Sequence, residues 1–389
     1  MIKTMNKNFL IEQYKNDKKT NISHNYLSNQ FSDYRTILRK IEKVIKFNDF
    51  TLGSEVDLFE KNIGKLLQQK YVVSVGSGTD AIMLSLKCLG IKEGDEVITT
   101  PYTFYATIGA IVTSGAKPVF VDIDEDYNIN PKLIEKAITK KTKAILPVHW
   151  SGRICEMDKI LKISKKYKIP IVEDACHAIQ ATYKNKFAGT FGDFGCFSLH
   201  PLKNLNVWGD GGYVVLKNKK YYKKMLLLRN HGLVGRNRNL IFGYNSRLDT
   251  IQAVVANHLI KKLKKITSSR IKNSMYLEKN LKKFNKFIFK KRKKNIKEVF
   301  HLYEIRVKNT NIRNKLVDYL RSKNIDAKIH YPVPMHLQPA SKQYGYKKGD
   351  FPVTEKICNS TISLPVHEFI NKKKINYIIN SIKNYIHES

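Results

Sequence analysis

The stretch YVVSVGSGTDAIMLSLKCL, residues 71–89, changes its period halfway along. Tyr71–Val75 is a short apolar run rich in β-branched residues and predicts a strand. GSGTDA, residues 76–81, is a run of small residues that leads on into apolar positions at helical spacing. A strand that feeds a helix through such a turn is the repeating unit of an α/β fold. The alternation continues as far as Leu216. Apolar runs recur at DEVIT, PVFVDI, KAILPVH, IPIVE and YVVL, with helix-period segments such as EMDKILKISKKY between several of them. In NINPKLIEKAI, Asn130 stands as a cap and Pro131 at the first helical position. The expected fold is therefore α/β, a large domain whose mostly parallel central sheet is flanked by helices.

Outward from this block the text changes character. Residues 1–34 are polar and read as an N-terminal arm or loose lead-in. In TLGSEVDLFEKNIGKLLQQ, Val56, Phe59, Ile63 and Leu66 recur at three- and four-residue steps, which predicts an amphipathic helix with Ser54 as its N-cap. Helical patterns run from Arg247 to Leu281. The basic run FKKRKKNIK follows, and then VFHLYEIRV opens a smaller C-terminal α/β unit that ends in the amphipathic INYIINSIKNYI. The expected division is an arm at 1–34, a large domain at 35–265 and a small domain at 266–389.

Composition narrows the classes. The chain has 389 residues, 42% of them hydrophobic, enough for a large core. It contains no apolar run of about eighteen residues, so no spanning helix is expected. Its N-terminus lacks the apolar region of a secretory signal. The five cysteines form no CxxC pair, and reduced thiols in a cytoplasmic protein are the simplest reading. Lys+Arg number 70 and Asp+Glu 33, a net charge of +37. That charge raises nucleic-acid binding as one hypothesis. Yet the basic residues are spread along most of the chain, and no helix-turn-helix, zinc-finger or RNP-type motif accompanies them. Attraction of an anionic small substrate is the milder consequence.

In open α/β sheets ligands sit beyond the carboxyl ends of the strands, so the loops there carry the argument. GSGTDA can converge backbone N–H groups on one phosphate at a helix start. It is neither a Walker loop nor a GxGxxG, and a capped helix without ligand is the competing reading. Phe104, in TPYTFYAT, can stack on a planar ring or simply fill core. In EDACHA, Asp174 can hold the protonated nitrogen of a heteroaromatic ring or act as a helix cap, and His177 can bond a phenolic oxygen or be a satisfied core histidine. FGCFSLHPLKN, residues 194–204, places Lys203 among apolar residues, where a desolvated amine becomes a nucleophile for carbonyls. A Schiff-base lysine, an acidic partner, an aromatic stack and a phosphate cup are together the demands of pyridoxal 5'-phosphate (PLP) chemistry.

With SVGSGTDAIMLSL, PYTFYATIGAIVTSGAKPVFVDID, ILPVHWSGRICEMDKI, IVEDACHAI, GDFGCFSLHPLKNLNVWGDGG, LRNHG, GYNSRLDTIQA and HYPVPMHLQPA in this order, the chain resembles the DegT/DnrJ/EryC1/StrS family of sugar aminotransferases over residues 35–385. The resemblance implies the PLP-dependent transferase fold of type I. It implies Lys203 as the Schiff-base and proton-shuttling residue, Asp174 on the pyridinium nitrogen, His177 near the ring oxygen and Phe104 stacked on the ring. It implies Gly78, Thr79 and Ser198 around the phosphate, and Asn245 reaching the phosphate of a neighbouring subunit in a homodimer with shared active sites. It places Tyr331 and His336 beside the sugar, with packing of their loop as the other reading. No metal site is expected.

The implied reaction moves the amino group of L-glutamate to a nucleotide-linked keto sugar, 3-keto favoured over 4-keto, in amino-sugar biosynthesis for a surface polysaccharide or glycosylated product. One branch of the family carries histidine in place of this lysine and dehydrates its sugar, and the intact Lys203 favours transamination. Two alternatives stand beside this: a dehydratase of the same family, and a non-catalytic basic protein that binds nucleic acid.

Overall fold

A computed structural model describes residues 22–388, so residues 1–21 of the expected arm lie outside the described residues. We number the strands and longer helices in chain order. Strands β1 (Tyr71–Val75), β2 (Glu96–Thr99), β3 (Lys117–Phe120), β4 (Thr142–Ile145), β5 (Val172–Asp174), β6 (Phe194–Ser198) and β7 (Gly212–Leu216) build the central sheet. Two hydrogen-bonded sets, β3-β2-β4 and β1-β7-β6-β5, are joined by parallel bridges from Ile145 to Ile171 and from Val148 to Asp174. The order is thus 3-2-4-5-6-7-1. Only β7 runs against its neighbours β1 and β6. The mostly parallel sheet read from the sequence is present, with β6 as a further strand; FGCFS reads in the sequence only as an apolar, aromatic segment.

Both faces of the sheet are covered, as its continuous apolar strands require. Side chains alternate between two cores along each strand. Val72, Phe197, Tyr213 and Val215 join one core with Phe59, Ile63 and Val254. Val73, Phe194, Val214 and Leu216 join the other with Ile82, Leu84 and Ile111. The first core receives α1 (Tyr34–Lys46), α2 (Ser54–Leu67) and α7 (Thr250–Ile260). The second receives α3 (Gly78–Cys88), α4 (Tyr105–Thr113) and α6 (Lys219–Arg229), while α5 (Met157–Tyr167) packs its Ile160 and Ile163 into the first.

Caps account for several helix starts. Ser77 accepts from Asp80 N–H ahead of α3, and Asn130 accepts from Lys132 N–H where Pro131 begins a single turn. Ser54 differs from its expectation. Gly53 is the N-cap of α2, and Ser54 is its first helical residue, tied through N–H and Oγ to Asp49 Oδ2.

The smaller unit holds β8 (Tyr303–Arg306) antiparallel to β9 (Thr361–Leu364), packed by α9 (Thr310–Ser322) and α11 (Lys372–Glu388), with α10 (Pro352–Ser360) leading into β9. Helix α8 (Leu263–Leu281) serves both units. Its Leu263 and Ile266 lie in the first large core, and its Leu277 and Leu281 in the core of the small unit. Residues 22–34 are packed rather than loose: Ile22 bridges to Ile325 of the small unit, and Tyr26 and Phe31 are buried. No helix of the described residues is long and apolar enough to cross a membrane.

Candidate active site

Strand register makes the site. In β5 the neighbours Glu173 and Asp174 must face opposite ways. Glu173 is fully buried on one side, where it accepts from the N–H groups of Gly189, Phe191 and Gly192 and pairs with His149 Nε2 at 2.8 Å. It braces a loop. Asp174 emerges at the strand's carboxyl end. Its Oδ2 accepts from Thr107 Oγ1 at 2.8 Å, and Thr107 meets Thr103 at 2.7 Å. Its Oδ1 accepts from Cys176 N–H at 3.2 Å. No helix starts there, so Asp174 is not a helix cap.

Lys203 lies in the loop beyond β6, the next strand over. Its N–H donates to His200 O, and its carbonyl accepts from Asn206 Nδ2 at 2.9 Å. Asn206 also donates to Gln30 Oε1 at 2.8 Å, which ties the lead-in to the lysine loop. The side chain is half-buried. Among the described residues no carboxylate stands within ion-pair distance of its amine. Burial holds the Lys203 amine below its usual range, while Cys176 and Asp174 act in the opposite direction.

His177 sits on the same side. Its ring lies tilted against His301, centroids 4.1 Å apart, and meets the edge of Trp150 at 5.3 Å. Burial, then the charge of Lys203, pushes it well below the ordinary imidazole value, so it is neutral. Its Nδ1 is buried and has no partner among the described residues. A buried imidazole nitrogen without a partner is costly and asks for a ligand atom.

Gly78, Thr79 and Ser198 converge where α3 begins. A Cβ on Gly78 would lie 2.6 Å from Ser198 Cβ and 3.1 Å from Cys176 Sγ, so only glycine lets helix start and strand end approach. Gly76 N–H donates to Ser246 Oγ, which donates to Asp80 Oδ2, fixing the turn from behind. The free N–H groups of this helix start suit a phosphate.

An aromatic wall closes the other side. Phe104 is half-exposed and packs near Tyr105 and Tyr331, with centroids 5.4 and 5.9 Å away. Tyr331 also meets the edge of Trp150 at 5.3 Å. Two of the expected residues stand apart. His336 is buried, its Nε2 3.1 Å from Glu355 Oε1 and its ring edge-on to Phe351. Asn245 is exposed next to Ser246, on the strand-like return that bridges to Asn230.

Thr107, Trp150, His301 and Asn206 belong to the site and escape the sequence reading. Thr107 was within reach: it follows Phe104 by three residues on a helix that opens toward Asp174. His301 comes from the small unit, and nothing in its local sequence points to His177.

These residues fit PLP. The carboxylate, the unpaired lysine, the neutral histidine with its orphaned nitrogen, and the cup that a single Cβ would fill each match one part of that cofactor. Such a site on a sheet of order 3-2-4-5-6-7-1 defines a PLP-dependent transferase of fold type I. The chain belongs to the DegT/DnrJ/EryC1/StrS aminotransferase family, which it matches over residues 32–383.

Three relatives locate it further. A pleiotropic regulatory protein of Geobacillus stearothermophilus is 36% identical over 363 residues, 92% of this chain and 97% of that protein. The UDP-2-acetamido-2-deoxy-3-oxo-D-glucuronate aminotransferase of Pseudomonas aeruginosa is 33% identical over 348 residues, 88% of this chain and 94% of that enzyme. The crystal structure of S. venezuelae DesV in complex with a ketimine intermediate has a TM-score of 0.90 at 31% identity, covering 94% of this chain and 98% of that one.

Proposed function

We propose that this protein transfers the amino group of L-glutamate to a nucleotide-linked 3-keto sugar, in a pathway that supplies amino sugars to a surface polysaccharide or glycosylated product. The observation that carries the reading is the half-buried Lys203 amine near Asp174, with no carboxylate among the described residues in ion-pair contact with it. The sugar assignment leans on the relative that acts on a 3-oxo sugar nucleotide.

Bound PLP supplies an electron sink conjugated to the reacting carbon. Asp174, held by Thr107, keeps a proton on the ring nitrogen. Neutral His177 offers its free nitrogen to the ring oxygen. Gly78, Thr79 and Ser198 receive the phosphate, and Phe104 covers the ring. With the cofactor bound, Lys203 would take the proton from the α-carbon of the donor and hold it for return, since a single amine on one face can both accept and donate. Tyr331 forms the sugar-side wall behind Phe104, and His336 steadies its loop through Glu355.

We place Asn245 in the site of a second copy, so the working unit is a homodimer with shared active sites. Its exposure supports this, as does the neighbouring exposed pair Leu240 and Phe242, the latter 97% exposed. The five cysteines are free thiols, which suits the cytoplasm. Three of the six basic residues in the densest basic run are engaged in ion pairs: Lys290 with Glu304, Arg292 with Glu278 and Glu298, and Lys293 with Glu156. That supports a small-molecule role over nucleic-acid binding.

The test is the visible spectrum of the protein with PLP, before and after L-glutamate, followed by mass spectrometry of products from 3-keto and 4-keto sugar nucleotides. Bleaching by glutamate and a mass corresponding to the 3-amino sugar are expected. A deoxygenated, nitrogen-free product would overturn transamination.

A further inference from the structure

Among the described residues, two bonds hold the backbone of Lys203 in its loop between β6 and β7. Its own N–H donates to His200 O, and its carbonyl accepts from Asn206 Nδ2 at 2.9 Å. The same Nδ2 donates to Gln30 Oε1 at 2.8 Å, so both hydrogens of the Asn206 amide are used. Asn206 is fully buried, and Gln30, 176 residues earlier in the chain, is 4% exposed.

Gln30 uses both ends of its own amide. Its Nε2 donates to Glu368 Oε1 at 3.3 Å. Glu368 Oε2 lies 3.5 Å from Arg270 Nε, and Arg270 Nη1 donates to the carbonyls of Phe300 and His301. The His301 ring lies against His177. One run of contacts thus leads from the Lys203 carbonyl to the His177 ring, with Gln30 at its centre.

The residue type at this point is set by its neighbours. Asn206 offers a hydrogen and Glu368 offers lone pairs, so the group between them must accept on one side and donate on the other. A carboxylate at position 30 would meet the Glu368 carboxylate. An aliphatic side chain would strand a buried Asn206 N–H. Fastening the lead-in does not ask for an amide. Ile22 pairs with the backbones of Asn324 and Asp326, Tyr26 stacks on His367 at 4.4 Å, and Phe31 meets the edge of Trp208 at 5.5 Å.

We propose that Gln30 is a positioning residue for transamination. Through Asn206 it fixes the backbone of Lys203, and through Glu368 and Arg270 it fixes that backbone relative to His301 and His177. The assignment rests on the aminotransferase reading above. A shift of about 1 Å in a reacting group can cost about 10²-fold in rate, so a side chain away from the reacting atoms can govern turnover.

Three proteins are compared with wild type. Gln30→Leu breaks the run on both sides. Gln30→Glu sets two carboxylates together. Gln30→Glu combined with Glu368→Gln keeps an acceptor for Asn206, moves the donor to position 368 and leaves net charge unchanged. In the cofactor-free protein, acetylation of Lys203 across pH is followed by peptide mass spectrometry, with exposed Lys61 as internal reference. In the PLP-loaded protein, bleaching is followed by stopped flow over a series of glutamate concentrations. Both single variants should shift the Lys203 acetylation profile and lower the limiting bleaching rate about tenfold or more, with half-saturating glutamate unchanged. The combined variant should recover most of both. If Gln30→Leu fails to fold, Gln30→Glu against the combined variant decides, and absence of recovery overturns the proposal. Wild-type acetylation and bleaching in either folded single variant also overturn it. So does a rise in half-saturating glutamate with acetylation and limiting rate unchanged, which would make Gln30 a fastener of the lead-in alone. Wild-type protein that glutamate does not bleach would overturn the aminotransferase reading, and the acetylation profile would still judge Gln30.

Discussion

The indole N–H of Trp150 lies 3.1 Å from both carboxylate oxygens of Glu304, joining a loop of the large unit to strand β8 of the small one. Lys290 completes the group. Its amine donates to Glu304 Oε2 at 2.8 Å and to Ser151 Oγ at 3.0 Å, and sits 4.0 Å above the ring of Tyr127. All three side chains are buried. Because Trp150 also touches His177 and Tyr331, this group sets the position of both walls of the site.

Removing one member of a buried ion pair strands the other. Glu304→Ala should cost about 3–5 kcal/mol in urea unfolding. Trp150→Phe keeps the ion pair and loses one bond to a charged acceptor, about 1.5–3 kcal/mol. The milder variant should also change apparent affinity for the sugar more than turnover, since Tyr331 loses its support. Equal stabilities of Trp150→Phe and wild type would remove the bond from the account.

Lys203→Ala should abolish the absorbance of lysine-linked cofactor and slow donor deprotonation by about 10²–10⁴-fold. Stopped-flow mixing of the PLP-loaded variant with glutamate measures the second effect directly. Turnover at the wild-type rate would end the assignment of Lys203.

Thr107→Val removes the hydroxyl that donates to Asp174 and keeps the side chain's shape. The lost bond to a carboxylate is worth about 1.5–3 kcal/mol, so cofactor retention should weaken by at least tenfold on equilibrium dialysis. Thr107→Ser should restore most of it. A valine variant that retains PLP as well as wild type would place the threonine outside the site.

Gly78→Ala puts a methyl against Ser198 and Cys176. Overpacking of this kind costs about 1–3 kcal/mol. Thermal unfolding of the cofactor-free protein reads that cost apart from phosphate binding. Pairing it with Ser198→Gly should relieve the crowding and leave cofactor affinity low, because Ser198 belongs to the cup.

Stability should fall on acidification. His330 and His367 are held down to about 3 by burial, the ordinary value being 6.5, and His177 and His301 are also lowered. Below pH 6.5 the unfolded chain binds protons that the folded chain refuses. His330 and His367 therefore each remove up to about 1.4 kcal/mol per pH unit as pH falls from 6.5 toward 3, His177 and His301 act in the same direction, and none contributes above 6.5. Urea midpoints between pH 7.5 and 4.5 measure the slope, and His367→Gln should flatten it. A profile level across that range would contradict neutral burial.

Much of this architecture is legible in the chain because its strands are short apolar runs and its helices keep their period. β6 and its lysine loop escape the strand reading, since FGCFSLHPL has no alternation: both faces of that strand are covered. Asp174 is readable at the end of IPIVE because a carboxylate there has no apolar reason to exist. The partners that hold the site in place are not readable. Thr107, His301 and Glu304 act across long sequence separations, as does Asn206 where it ties the lysine loop to Gln30, and each looks locally like an ordinary surface or strand residue. Ser54 misleads for a related reason: Asp49, five residues earlier, takes its hydroxyl and leaves the cap to Gly53.

Helix α8 carries one further implication. It contains neither glycine nor proline, and its two ends are anchored in different cores. An uninterrupted helix bends sharply only where its ladder is broken. The two units therefore share one continuous helical rod across their border. A proline placed midway along α8 would therefore disturb both cores at once, and damage assembly of the whole molecule rather than of one unit.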